Sequence, residues 1–254
     1  MGLGKGKDYK ELVNSHLNRI MIPGYERMYG FSPDGRILQV DYAMIMVNNS
    51  PTAWGIHVEE GIVLAGVEKR IDMLQDRTFS QKLFQIDEHI GTVVAGFNSD
   101  ARLLVEYARN EAQINRFLYD EPVDVEYLVR RLSNTVQAYT QHAGMRPFGI
   151  SMLIGGVDML GASLYQLDPT GIYFKYFASV IGIGREDILK YFRNNYSMNT
   201  SLDEAIIMGI RGSIEVLKEE VAPDRLRIGI IRTDEKKFKV LSYEEVKKYY
   251  ERAK

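Results

Sequence analysis

Apolar and polar positions recur along this chain in two rhythms, and the switch between them divides it into elements. The stretch Ile37-Leu38-Gln39-Val40-Asp41-Tyr42-Ala43-Met44-Ile45-Met46-Val47 follows the turn signal Ser32-Pro33-Asp34-Gly35 and is long enough for three helical turns. It is apolar on more than one face, an excess for a surface helix that predicts cover from another subunit. From Thr52 the rhythm shortens, predicting strands over 53–58, 62–67, 83–86 and 92–97, the first two joined by Glu59-Glu60-Gly61. Strands so close together predict antiparallel pairing. Apolar periodicity then predicts two long helices, 99–118 and 123–142, with Pro122 at the start of the second. A second strand group, 148–154, 163–167, 172–177 and 179–183, is punctuated by Gly155-Gly156 and Asp168-Pro169-Thr170-Gly171. Helices over 185–196 and 201–219 follow, the latter opened by a capping box from Ser201 to Glu204. Strands over 226–231 and 238–241 and a charged helix over 243–252 end the series. Ahead of all this, residues 1–30 mix Gly, Lys and polar side chains with one short amphipathic stretch over 9–20, which predicts an N-terminal extension. The order of strands, two helices, strands, two helices, strands predicts an α+β fold, a layered sandwich with helices outside two stacked sheets.

Composition narrows the function. With 254 residues and 45% apolar side chains the chain can bury one sizeable core, so one domain is expected over 31–254. Its 32 basic and 34 acidic residues leave a formal charge of −2, which argues against nucleic acid as the main partner. The absence of Cys removes disulfides, thiolate metal sites and cysteine nucleophiles together. No apolar run approaches the ~18–20 residues that span a bilayer, and the segment from Met1 to Lys7 lacks a signal-peptide core, so a cytoplasmic protein without membrane contact is expected. His16, His57, His89 and His142 are scattered without paired-ligand spacing, so neither a metal nor a cofactor is expected. Trp54 reads as a packing residue on the first strand, and Arg130-Arg131 and Lys247-Lys248 read as solvated helix faces.

Phe31-Ser32-Pro33-Asp34-Gly35-Arg36 running into Gln39-Val40-Asp41-Tyr42-Ala43 resembles the signature of α-type subunits of the proteasome core particle, archaeal-like members of the N-terminal-nucleophile hydrolase superfamily. Gly66-Val67-Glu68-Lys69-Arg70, Lys82-Leu83-Phe84-Gln85-Ile86-Asp87, Ser99-Asp100-Ala101-Arg102, Arg146-Pro147-Phe148-Gly149-Ile150 and Leu167-Asp168-Pro169-Thr170-Gly171 are similar to further family segments. The resemblance covers the chain from about Tyr25 to the last helix. It implies a four-layer αββα sandwich and a place in a seven-membered outer ring stacked on β subunits. It also implies a part in protein degradation: admitting unfolded substrates through a gate and receiving the C-terminal tails of an ATPase activator.

Catalytic relatives use a threonine at a free N-terminus, whose own amino group serves as the base. Thr52 resembles the residue at that position, with Glu68 and Lys82 near those of the acid and lysine partners. Thr52 is preceded by fifty-one residues ending in Ser50-Pro51, and unless that segment is cut off its nitrogen is an amide that cannot accept a proton. Gly182-Ile183-Gly184 also has an apolar residue where catalytic relatives resemble Gly-Ser-Gly. A non-catalytic subunit is therefore expected; the alternatives are a self-processing threonine hydrolase and a divergent α-like ring paralogue.

Lys82 has a plain reading, a strand-edge lysine with a solvated ammonium. The resemblance assigns it instead, with Ser50 and Arg36, to activator docking, where its charge would meet a terminal carboxylate. Family members have Gly near Ser50, so Ser50-Pro51 is expected to reshape that rim. Tyr25, Glu26, Arg27, Pro33 and Tyr42 match the gate residues of the family. Only Met28-Tyr29-Gly30 separates Arg27 from Phe31, one residue fewer than in the family pattern.

Overall fold

The strand Ala53–Val58 is buried along its whole length, and its side chains divide by parity. Trp54, Ile56 and Val58 enter one apolar cluster, whereas Ala53 enters another. Successive side chains of a strand face opposite sides of its sheet, and with both faces covered this strand is apolar but for the buried His57.

The structure is a computed structural model that describes residues 31–32, 35–69, 74, 76, 79–142, 144–218 and 221–254. Two compact units divide the chain after Leu38. In the first, the amide of Ser32 donates to the Arg36 carbonyl at 2.8 Å and the amide of Arg36 donates to the Ser32 hydroxyl at 3.0 Å. Gly35, at φ +80°, supplies the left-handed residue that this turn requires.

Among the described residues the α-helices are α1 (Leu38–Asn48), α2 (Asn98–Tyr119), α3 (Val125–Gln141), α4 (Arg185–Asn195), α5 (Leu202–Leu217) and α6 (Tyr243–Ala253). The strands are β1 (Ala53–Val58), β2 (Gly61–Val67), β3 (Leu83–Asp87), β4 (Ile90–Gly96), β5 (Ile150–Asp158), β6 (Gly161–Leu167), β7 (Tyr173–Tyr176), β8 (Ala178–Ile181), β9 (Leu226–Arg232) and β10 (Phe238–Val240). They form two five-stranded sheets, ordered β10-β9-β2-β1-β8 and β3-β4-β5-β6-β7, and every pairing is antiparallel. Three apolar clusters give the layers. One joins β1, β2, β8 and β9 to α4, α5 and α6; a second joins β4, β5 and β6 to α2 and α3; the third lies between the sheets. The second unit is thus an α+β sandwich with the layer order αββα. Phe238 fills the middle layer by lying against Gly91 of one sheet and Gly229 of the other, where an added Cβ would come within 2.2 and 2.5 Å of its ring.

Several expectations are corrected. Pro122 does not begin the second long helix: α3 starts at Val125, capped by Asp124, whose carboxylate accepts the Tyr127 amide at 2.8 Å. An Asp side chain offers the acceptor that an orphan amide needs. Gly155-Gly156 do not end a strand but lie inside β5. A Cβ on Gly155 would meet Ile62 of the facing sheet at 2.7 Å, and one on Gly156 would meet Val125 of α3 at 2.6 Å. The expected box at Ser201 is half made: Ser201 accepts the Glu204 amide, but the Glu204 carboxylate takes Arg252 at 3.0 Å. The reciprocal box sits at Ser242 and Glu245. Arg131 is not merely solvated, since it bonds Glu111 at 2.9 and 3.1 Å and ties α3 to α2. Trp54 packs as expected, fully buried and edge-on to Phe192.

Candidate functional site

The residues with unusual chemistry gather where α1 hands over to β1. At the end of α1 the Ser50 amide donates to the Val47 carbonyl at 3.0 Å and its hydroxyl donates to the Met46 carbonyl at 2.9 Å. Ser50 therefore satisfies carbonyls that a helix C-terminus would leave open. Its own carbonyl accepts the Ile183 amide at 2.9 Å. Two residues on, the hydroxyl of Thr52 donates to the Ile183 carbonyl and the Thr52 carbonyl accepts the Val67 amide at 2.8 Å. The 50–52 segment is thereby pinned to the 182–184 turn. Gly182 is required there twice over, by its φ of +89° and because a Cβ would lie 2.7 Å from the Ser50 carbonyl oxygen.

Lys82 reaches into this junction from the residue before β3. Its stem lies over Gly66, where a Cβ would stand 3.1 Å from the Lys82 Cβ, and its Nζ donates to the Pro51 carbonyl at 2.6 Å. The side chain is buried, with the residue only 5% exposed, so the solvated reading is wrong for this protomer. Burial pulls its pKa down to about 8, and the Glu68 carboxylate partly opposes that fall. Glu68 bonds not the ammonium but the Ser80 hydroxyl, at 2.6 Å, and the Gln81 amide, at 3.1 Å. Among the described residues no carboxylate stands at ion-pair distance from Lys82 Nζ.

The expected site residues are thus only partly brought together. Ser50 and Lys82 flank Pro51, but the Ser50 hydroxyl turns back to α1 and away from the lysine. Arg36 lies in the Ser32–Arg36 turn of the first unit. Tyr42 is on α1 and 43% exposed. Tyr25, Glu26, Arg27 and Pro33 fall outside the described residues. Sequence reasoning missed the Pro51 carbonyl and the Glu68–Ser80 pair; the only local signal for the latter is Ser80 two residues before Lys82.

The arrangement at Thr52, Lys82 and Glu68 can be set beside known proteins. The family model for proteasome subunits matches residues 47–231, and the model for the N-terminal signature of A-type proteasome subunits matches residues 31–44. The chain belongs to the proteasome subunit family. Relatives named as proteasome alpha subunits bear this out over nearly the whole length. That of Archaeoglobus fulgidus is 40% identical over 231 residues, covering 91% of this chain and 94% of the relative. That of Methanopyrus kandleri is 44% identical over 223 residues, covering 87% and 89%. That of Methanothermobacter thermautotrophicus is 39% identical over 229 residues, covering 90% and 92%. The proteasome subunit match starts at the end of α1 and takes in the whole Ser50–Lys82 junction, while the N-terminal signature covers the turn and most of α1. Among the described residues of this family member no group of His, Asp or Glu is placed to hold a metal ion, and no helix is long and apolar enough to cross a membrane.

Proposed function

We propose that the chain is a non-catalytic α-type subunit of a proteasome core particle, forming an outer seven-membered ring on β subunits in the cytoplasm. In this reading residues 1–30 are the gating extension and 31–254 the ring-forming domain, with Tyr25, Glu26, Arg27, Pro33 and Tyr42 setting the gate for unfolded substrates. The docking residues of this reading are Lys82, Ser50 and Arg36, with Lys82 receiving the C-terminal tails of an ATPase activator. The observation that carries the non-catalytic reading is the Thr52 hydroxyl spent on the Ile183 carbonyl beside an amide nitrogen, and docking is supported by the bond from Lys82 to the Pro51 carbonyl. A buried ammonium whose described partner is a neutral carbonyl gains a charge-assisted bond when a carboxylate arrives. Ring formation is supported by α1, which buries Val40, Ala43 and Val47 but leaves Tyr42, Ile45 and Met46 exposed.

One observation favours the self-processing hydrolase: Lys82 bonds the carbonyl of the peptide link that processing would cut, and a lysine with a lowered pKa can act as a base. Against it, the Thr52 hydroxyl gives its proton to a carbonyl, and the Thr52 nitrogen is an amide. The test is co-expression with a β subunit, electron microscopy of the particle and intact mass of the chain. Rings with the chain uncut, and Thr52→Ala without effect on peptide hydrolysis, are expected. A chain beginning at Thr52 would overturn the reading.

A further inference from the structure

Glu68 stands just past the end of β2, and its carboxylate organises the three residues from Ser80 to Lys82. One oxygen, Oε1, accepts both the Ser80 hydroxyl at 2.6 Å and the Gln81 amide at 3.1 Å. The Ser80 oxygen in turn accepts the amides of Lys82 at 3.2 Å and Leu83 at 3.0 Å. Having donated its one proton and accepted two, that hydroxyl has no capacity left to turn elsewhere. The Lys82 backbone is therefore held by a chain of bonds that ends on a carboxylate, while its stem crosses Gly66 and its Nζ meets the Pro51 carbonyl.

Among the described residues, the surroundings of the ammonium are otherwise poor in charge. Gly66 lines the stem, and Pro51 and Thr52 contribute backbone and a hydroxyl already committed to Ile183. Lys69 beside Glu68 is exposed, and the Arg225 carbonyl accepts the Glu68 amide. Among the described charged side chains, Glu68 acts on Lys82, and it favours the protonated form that burial disfavours.

The geometry points to Glu68 as the positioning residue of the carboxylate-docking site, aiming Lys82 through Ser80 and holding its ammonium charged so that a terminal carboxylate can be received. The inference rests on the reading that Lys82 receives such a carboxylate. It separates two roles that one variant each can isolate. Glu68→Gln keeps an oxygen for Ser80 and Gln81 but removes the charge, whereas Ser80→Ala keeps the charge but loosens the turn.

The test uses the full chain in assembled particles. The ionisation midpoint of Lys82 is read, without ligand, from the pH dependence of its acetylation by acetic anhydride, followed by mass spectrometry. Binding is read by fluorescence anisotropy between about pH 6.5 and 9.5, at on the order of a dozen points, with a labelled peptide ending in a free carboxylate and the same peptide amidated. Glu68→Gln is expected to lower the midpoint by about one unit and to move the alkaline loss of carboxylate-peptide binding down with it. Ser80→Ala is expected to weaken that binding about tenfold without moving the midpoint, as loss of one hydrogen-bonded anchor would. Glu68→Asp, which restores the charge, is expected to restore the midpoint. An unmoved midpoint in Glu68→Gln, with carboxylate still preferred over amide, would overturn the role of Glu68 alone. Equal binding of the two peptides by the wild-type particle would overturn the docking reading and this inference with it.

Discussion

Arg146 and Asp100 meet end to end, with Nη1 2.6 Å from Oδ2 and Nη2 2.7 Å from Oδ1. Asp100 is buried in the first turn of α2, and its Oδ2 also accepts the Gly149 amide at 2.8 Å, so one carboxylate ties that helix to the residue before β5. The bond to Asp100 raises the pKa of Arg146.

Replacing Asp100 by Ala removes the acceptor from a buried amide and the anchor from Arg146. Because Arg146 itself is more than half exposed, the loss is mostly that of the Gly149 bond and the charge-assisted pair, about 2–3 kcal/mol. Urea unfolding of the purified chain should show it; Asp100→Asn, which still offers one oxygen to Gly149, should lose less.

Lys82 is held at a cost to stability. Its pKa falls from 10.5 to about 8 on folding, so between those values the unfolded chain binds more protons and stability rises with pH. Below about pH 8 the penalty is present in full, roughly 3 kcal/mol at 1.36 kcal/mol per unit. Lys82→Met should therefore stabilise the isolated chain at pH 7, by about 1–2 kcal/mol once the lost bond to Pro51 is subtracted. The gain should shrink toward zero or reverse at pH 10. Paired urea midpoints at the two pH values check both signs.

Gly229→Ala should destabilise by about 1–3 kcal/mol, since its Cβ would fall 2.5 Å from the Phe238 ring, which Gly91 confines on the far side. Restoring stability with Phe238→Leu in the same chain would confirm that the clash is with that ring.

Charge on the exposed face of α1 should block assembly and spare the fold. Ile45 is 54% exposed, so Ile45→Glu buries nothing new in the protomer. Sedimentation should show rings lost, while the melting temperature of the separated chain stays within a few degrees of wild type.

Ser242→Ala should cost about 1 kcal/mol by opening the capping box of α6. Glu245 has its pKa drawn down to about 2 by Lys239 and by its bonds to Ser242, so its contribution is present above the ordinary Glu value and fades as pH falls toward 2. The difference between Ser242→Ala and wild type, measured by urea midpoint, should narrow over that acid range.

Elements and layers were legible because their causes are local. The strand over 53–58 appears with the bounds expected, and the long helices shift by no more than two residues at either end, since hydrophobic period is a property of neighbours along the chain. The family signature at Phe31–Ala43 is likewise a matter of contiguous residues. The junction chemistry is not. Lys82 and Pro51 are 31 residues apart, on segments that meet only once the two sheets have stacked, and Thr52 and Ile183 are 131 apart, brought together by the pairing of β1 with β8. A lysine carries no mark in the sequence of whether its ammonium will be wet or buried. Residue types alone suggested that Lys82 could carry charge to a surface; the packing of its stem over Gly66 took that charge out of water and turned it toward a carbonyl. Its depressed pKa comes from desolvation, which the charge of Glu68 partly opposes, and desolvation exists only in the folded chain.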